Sequence, residues 1–107
     1  MRLAVASLAL VAVGAGSALA QSQKLGEVLP QRSPEKVYAS TCGYCHGTNI
    51  GPIIRGRGLP AEAIKYQVRH GAGAMPAFRP TEISPAELDA LATWLEHSKA
   101  DPKEKGK

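Results

Sequence analysis

Five consecutive residues, Cys42-Gly43-Tyr44-Cys45-His46, constrain this chain more than any other feature. They contain both of its cysteines. Two thiols three positions apart can each add to one vinyl group of a porphyrin, and the next residue then offers an imidazole to the iron. Cys-x-x-Cys-His is for that reason the attachment signature of c-type haem. The expectation is one haem c, held covalently through Cys42 and Cys45 with His46 as its first axial ligand. Three other uses of the cysteines stay open. An exported chain can close them into one disulfide. A thioredoxin-type redox pair is a second use, although it expects a βαβ context and the flanks here read as helical. A zinc site is the third, although its ligands would have to come from the distant His70 and His97.

The second axial ligand is read from the other end of the chain. Met75 is the one methionine besides Met1. It sits in Gly71-Ala72-Gly73-Ala74-Met75-Pro76-Ala77-Phe78, where glycines permit close backbone approach and Pro76 stiffens the exit. A thioether opposite a histidine stabilises ferrous iron and raises the reduction potential. Met75 is therefore expected on the iron. His70 is the competitor, although a place at a helix C-terminus suits it without any metal.

Length limits the rest. A chain of 107 residues holds at most one small domain. Residues 1–20 read as a secretory signal: Arg2, an apolar run from Leu3 to Val13 broken by Ser7, and the small-x-small site Ala18-Leu19-Ala20. That run is too short to span a bilayer. A periplasmic location with no membrane span in the mature form is expected. The 13 basic and 9 acidic residues leave a mild positive excess. Part of it lies in Lys103, Lys105 and Lys107, and no basic stripe with interleaved aromatics appears, so nucleic-acid binding is not expected.

Residues 21–32 read as an extended N-terminal arm, 33–100 as the domain and 101–107 as a charged, frayed tail. Ser33-Pro34 opens a helix to about Cys42, offering Val37, Tyr38 and Thr41 to the interior. The stretch from Thr48 to Gly58 reads as loop, in which Pro52 offers a carbonyl to the second ring nitrogen of His46. A second helix runs from Pro60 to Gly71 with Ile64 and Val68 inside. Ser84-Pro85-Ala86-Glu87 is a capping box, and Leu88, Leu91, Ala92 and Leu95 follow the helical period up to a stop before Asp101-Pro102. No strand pattern is present, so the fold class is all-α.

The order of helix, Cys-x-x-Cys-His, Gly-Pro loop, Met-Pro loop and amphipathic final helix resembles class I cytochromes c over about residues 33–98. Tyr38, four before Cys42, and Trp94-Leu95 match aromatic and aliphatic positions that touch where the first and last helices of that family cross. The resemblance implies three main helices around one haem. Gly51-Pro52, Gly56-Arg57-Gly58-Leu59-Pro60, Ile64-Lys65, Val68-Arg69 and Ala74-Met75-Pro76-Ala77-Phe78 look, more narrowly, like the cytochrome subunits of flavocytochromes that oxidise 4-alkylphenols. That likeness implies a flavoprotein dehydrogenase subunit as electron donor, a downstream acceptor protein, and no catalysis by this chain alone. Arg57, then Arg55, are the expected partners of the haem propionates. Tyr66 and Trp94 are expected as core aromatics. The apolar shell is expected from Ile53, Ile54, Leu59, Ile64, Val68, Phe78, Leu88, Leu91 and Leu95. A freely diffusing carrier to a terminal oxidase is the alternative function. A haem sensor is a third, which needs an open sixth position that Met75 argues against.

Overall fold

The computed structural model describes residues 25–106. The expected signal sequence, and residues 21–24 of the expected arm, lie outside them. Three α-helices carry the fold: α1 (Pro34–Ser40), α2 (Ala61–His70) and α3 (Pro85–Glu96). A single 3₁₀ turn, Cys42–Tyr44, follows α1. No strand is present among the described residues beyond isolated bridges.

Each helix begins where its chemistry dictates. The Ser33 hydroxyl accepts from Lys36 N–H, and Pro34 occupies the first turn, where its missing N–H costs nothing. In α3 both halves of the capping box form: Ser84 Oγ accepts from Glu87 N–H, and Glu87 Oε2 accepts from Ser84 N–H. Ile83 and Leu88 flank that box and are almost fully buried, the hydrophobic staple that fixes how the chain enters the helix. Ile83 was not among the expected shell residues. Its signal was present, an apolar residue immediately before a capping serine.

α3 lies at the centre, with α1 and α2 both against it. Val37, Tyr38, Ile64, Val68, Leu88, Leu91, Ala92 and Leu95 form the core together with Ile83. Ile54, Leu59 and Phe78 are half-buried against it, and Ile53 is half-buried as well. The Tyr38 and Trp94 rings meet at 5.4 Å between centroids, the tilted geometry that aromatic pairs favour.

Three expectations need correction. Tyr66 is not a core aromatic: it is 64% exposed and stacks on His70 at 3.9 Å, because its place on α2 faces away from the Ile64–Val68 stripe. Helix α3 stops at Glu96, short of the Asp101-Pro102 break. Ser98 N–H and Oγ both donate to the Leu95 carbonyl, which closes the last turn early. Residues 101–106 of the expected tail are docked and not frayed. Asp101 and Glu104 lie near Arg55, at 3.3 and 3.8 Å from its Nη1, and the Tyr38 hydroxyl donates to Glu104 Oε1 at 2.8 Å.

Candidate functional site

The expected attachment residues fall on one tight turn. Cys45 N–H and His46 N–H both donate to the Cys42 carbonyl, at 3.1 and 2.9 Å. Helix α1 runs almost directly into this turn, so the motif is anchored by the Val37 and Tyr38 packing just before it. Both cysteines are free thiols, Cys42 half-buried and Cys45 exposed. Burial pushes the Cys42 thiol up to about 11. The described residues around the motif are helical and hold no strand, so the βαβ context of a thioredoxin-type pair is not found there.

His46 is oriented from two sides. Its Nδ1 lies 2.6 Å from the Pro52 carbonyl oxygen. That acceptor assigns the proton to Nδ1 and leaves Nε2 as the free lone pair. Gly51 packs against the ring. A Cβ there would stand 3.1 Å from His46 Cε1 and Nδ1, tighter than ordinary contact allows. The Gly51 N–H also donates to the Cys45 carbonyl at 2.8 Å. The short loop from His46 to Pro52 is thus closed on itself around the imidazole.

Met75 sits on a second closed loop. Ala72 and Met75 exchange both backbone hydrogen bonds, at 3.1 and 2.9 Å, around Gly73-Ala74. Gly73 takes φ 55° at the first turn position, where primed hairpin turns place glycine. Gly71 takes φ 69°, and a Cβ on it would lie 2.6 Å from the Met75 carbonyl oxygen. Phe78 N–H donates to the Val68 carbonyl at 2.8 Å, so the exit of the loop is pinned to α2. Met75 is half-buried against the core.

The competing ligands are placed elsewhere. His70 Nδ1 lies 2.7 Å from the Tyr66 carbonyl, and His97 Nδ1 2.9 Å from the Thr93 carbonyl, each a helix-end contact to its own helix. Among the described residues no three His, Cys, Asp or Glu side chains converge on a metal position, which leaves the zinc reading without a site. Arg55 lies over the Tyr38 and Trp94 rings, 5.7 and 5.2 Å from their centroids, as well as beside its two carboxylates. Its guanidinium belongs to an internal cluster. Arg57 is exposed two residues on. The set as a whole fits a haem c: two thiols and a correctly tautomerised imidazole on one turn, with a thioether on a rigid loop.

The model for cytochrome c oxidase, cbb3-type, subunit III matches residues 30–95. The chain belongs to the cytochrome c family. It is 39% identical over 85 residues to the cytochrome c subunit of 4-cresol dehydrogenase (hydroxylating) from Pseudomonas putida, covering 78% of this chain and 69% of that one. It is 35% identical over 75 residues to cytochrome c6 of Cladophora glomerata, covering 57% of this chain and 80% of that one. Among solved structures it is similar to a chain of p-cresol methylhydroxylase with substrate bound, at a TM-score of 0.61 and 38% identity, over 65% of this chain and 97% of that chain. This cytochrome is an electron carrier. No helix among the described residues of the cytochrome is long and apolar enough to cross a membrane.

Proposed function

We propose that this cytochrome is the haem subunit of a periplasmic flavocytochrome. It accepts electrons from a flavoprotein that oxidises a 4-alkylphenol and passes them to a second carrier. The observation that carries the reading is the match to p-cresol methylhydroxylase: 97% of that solved chain is covered at 38% identity and a TM-score of 0.61. Cys42 and Cys45 would hold one haem c as thioethers, and His46 Nε2 and the Met75 sulfur would serve as ligands to its iron. Bound there, it supplies a one-electron couple between ferric and ferrous states.

The chain's own residues set the conditions for that couple. Pro52 holds the His46 proton at Nδ1, which fixes the tautomer and the ring plane. The Ala72–Met75 hairpin holds the thioether on stiff backbone, so the ligand set need not move between oxidation states. The core residues Ile64, Val68, Leu88 and Leu91 give a low-dielectric wall. Arg57 is the proposed partner of a propionate, since Arg55 is committed to its cluster.

The flavoprotein meets the cytochrome at the Met75 loop. Ala72, Gly73, Ala74, Pro76 and Ala77 are exposed there and carry no charge. Such a surface approaches a partner closely without burying unpaired charge. The test is to express the chain together with a 4-alkylphenol-oxidising flavoprotein subunit and purify through one of the two. A stable complex whose haem is reduced by a 4-alkylphenol supports the reading.

A second reading is favoured by the likeness to cytochrome c6. In that reading the chain diffuses between a dehydrogenase and a terminal oxidase. Reduction by several unrelated donors, with no stable complex, supports it instead.

A further inference from the structure

The segment after α3 does more than end the chain. Lys105 N–H donates to the Gly47 carbonyl at 2.8 Å, and Asn49 N–H donates to the Lys105 carbonyl at 2.9 Å. The two segments run as a short parallel bridge, Thr48 with Lys105. Asn49 adopts φ 64°, a left-handed conformation that asparagine tolerates better than most residues. Glu104 lies across Gly47: a Cβ on that glycine would come within 2.8 Å of Glu104 Cγ. Gly106 packs over the next part of the same loop, where its own Cβ would meet the Gly51 carbonyl oxygen at 3.1 Å. Every one of these contacts falls between His46 and Pro52 or immediately on them.

The strap is itself fixed at one point. Glu104 accepts from the Tyr38 hydroxyl and lies 3.8 Å from Arg55, itself stacked near Tyr38 and Trp94. Burial and the Glu104 carboxylate both push the Tyr38 hydroxyl upward, so it stays a donor. The tail is thereby anchored to the crossing of α1 and α3, and its backbone then holds the loop whose carbonyl orients His46.

We infer that residues 104–106 are a positioning strap for the axial histidine: they hold the His46–Pro52 loop closed and so maintain the Nδ1–H hydrogen bond to Pro52. The inference rests on the reading of His46 as an axial ligand. A strap of this kind acts locally. The core residues lie in α1, α2, α3 and the α3 entry, and the strap reaches them through the Tyr38 hydroxyl on Glu104, a bond that Lys105→Pro does not remove.

The test uses the ferrous, haem-loaded protein, which is diamagnetic. Solvent exchange of the His46 Nδ1 proton is measured by NMR beside that of the Leu91 and Leu95 amides in α3. Two variants are compared with the natural chain: one ending at Lys103, and Lys105→Pro, which removes only the N–H that reaches Gly47 and the lysine side chain. The strap predicts exchange at His46 faster by about tenfold or more in both, with the α3 amides unchanged, the pattern of a local opening. Equal acceleration at all three sites overturns it, because that is lost global stability. Unchanged exchange at His46 overturns it too. Failure of both variants to attach haem and fold also contradicts it, since the core is then shown to need the tail. His46 ligation is tested separately in the wild-type ferrous protein: His46 ring protons that lack the large porphyrin ring-current shift of an imidazole held against the haem overturn the reading on which the strap rests.

Discussion

Glu87 Oε1 accepts two hydrogen bonds from Arg32, one from its backbone N–H and one from its Nε, both at 3.0 Å. Arg32 Nη2 reaches the other carboxylate oxygen at 2.8 Å and the Glu82 carbonyl at the same distance. One carboxylate thus closes the capping box of α3 and ties down the chain just before α1. These bonds, those to Arg32 first, hold the Glu87 carboxyl down at about 2, from an ordinary 4.5. The ionised form is the bonded one. Its contribution is therefore complete above about pH 4.5 and disappears as pH falls towards about 2. Glu87→Gln is expected to cost about 1–2 kcal/mol at neutral pH, discounted because Arg32 is partly exposed, and to flatten the acid limb of stability. Thermal melts of the haem-loaded protein between pH 2 and 5 check it. The prediction fails if the two proteins show parallel pH profiles.

Met75→Ala is expected to remove the weak sulfur-to-iron charge-transfer band of the ferric protein and to lower its potential, because water or a nitrogen ligand replaces a thioether. His70→Ala should leave both unchanged, since the His70 ring is turned to the Tyr66 carbonyl and ring. The reverse pattern would put His70 on the iron.

The helices, the caps of α1 and α3, and the two loops that carry His46 and Met75 were legible because each has a local signal. Ser33-Pro34, the Ser84–Glu87 box and the glycines around Met75 act on their immediate neighbours. The tail was not legible. Lysine-rich and proline-broken, Asp101 to Lys107 has the composition of a solvated end, and long-range partners hold residues 101–106 of it. Tyr38 is 66 residues from the Glu104 it bonds. Arg55 was hidden in the same way. As a basic residue in a glycine loop it suits an external anion, whereas the fold surrounds it with Asp101, Glu104 and two aromatic rings. Tyr66 was misplaced because aromatic character alone does not say which helix face it takes.

Replacing both thiols, Cys42→Ala with Cys45→Ala, is expected to abolish covalent haem and leave a largely disordered chain. The core is a thin set of aliphatic side chains, and a chain this small has little reserve without a staple. Far-ultraviolet circular dichroism through a thermal ramp decides it. A cooperative transition with native helicity in the double variant would show that the polypeptide folds alone.

Ala74→Glu puts a charge on the exposed turn of the Met75 loop. The haem spectrum and potential should stay nearly intact, because the side chain points from a turn and not from a ligand. Binding to the flavoprotein should weaken by about tenfold or more, with reduction slowed in step, since a carboxylate would be buried without a partner. Stopped-flow reduction at several flavoprotein concentrations measures both. Unchanged rates would move the docking face away from Ala72–Ala77.

On the proposed function, electrons reach this cytochrome from a phenol-oxidising flavoprotein. The most direct measurement is anaerobic reduction of the ferric protein by a 4-alkylphenol-oxidising flavoprotein subunit, followed at the ferrous haem band while a 4-alkylphenol is added in known amounts. Oxidation of one phenol releases two electrons and each haem takes one, so two haems should turn ferrous per phenol consumed, at a rate that saturates with the flavoprotein. A cytochrome that stays ferric under those conditions, yet is reduced at once by a small-molecule reductant, would contradict the account.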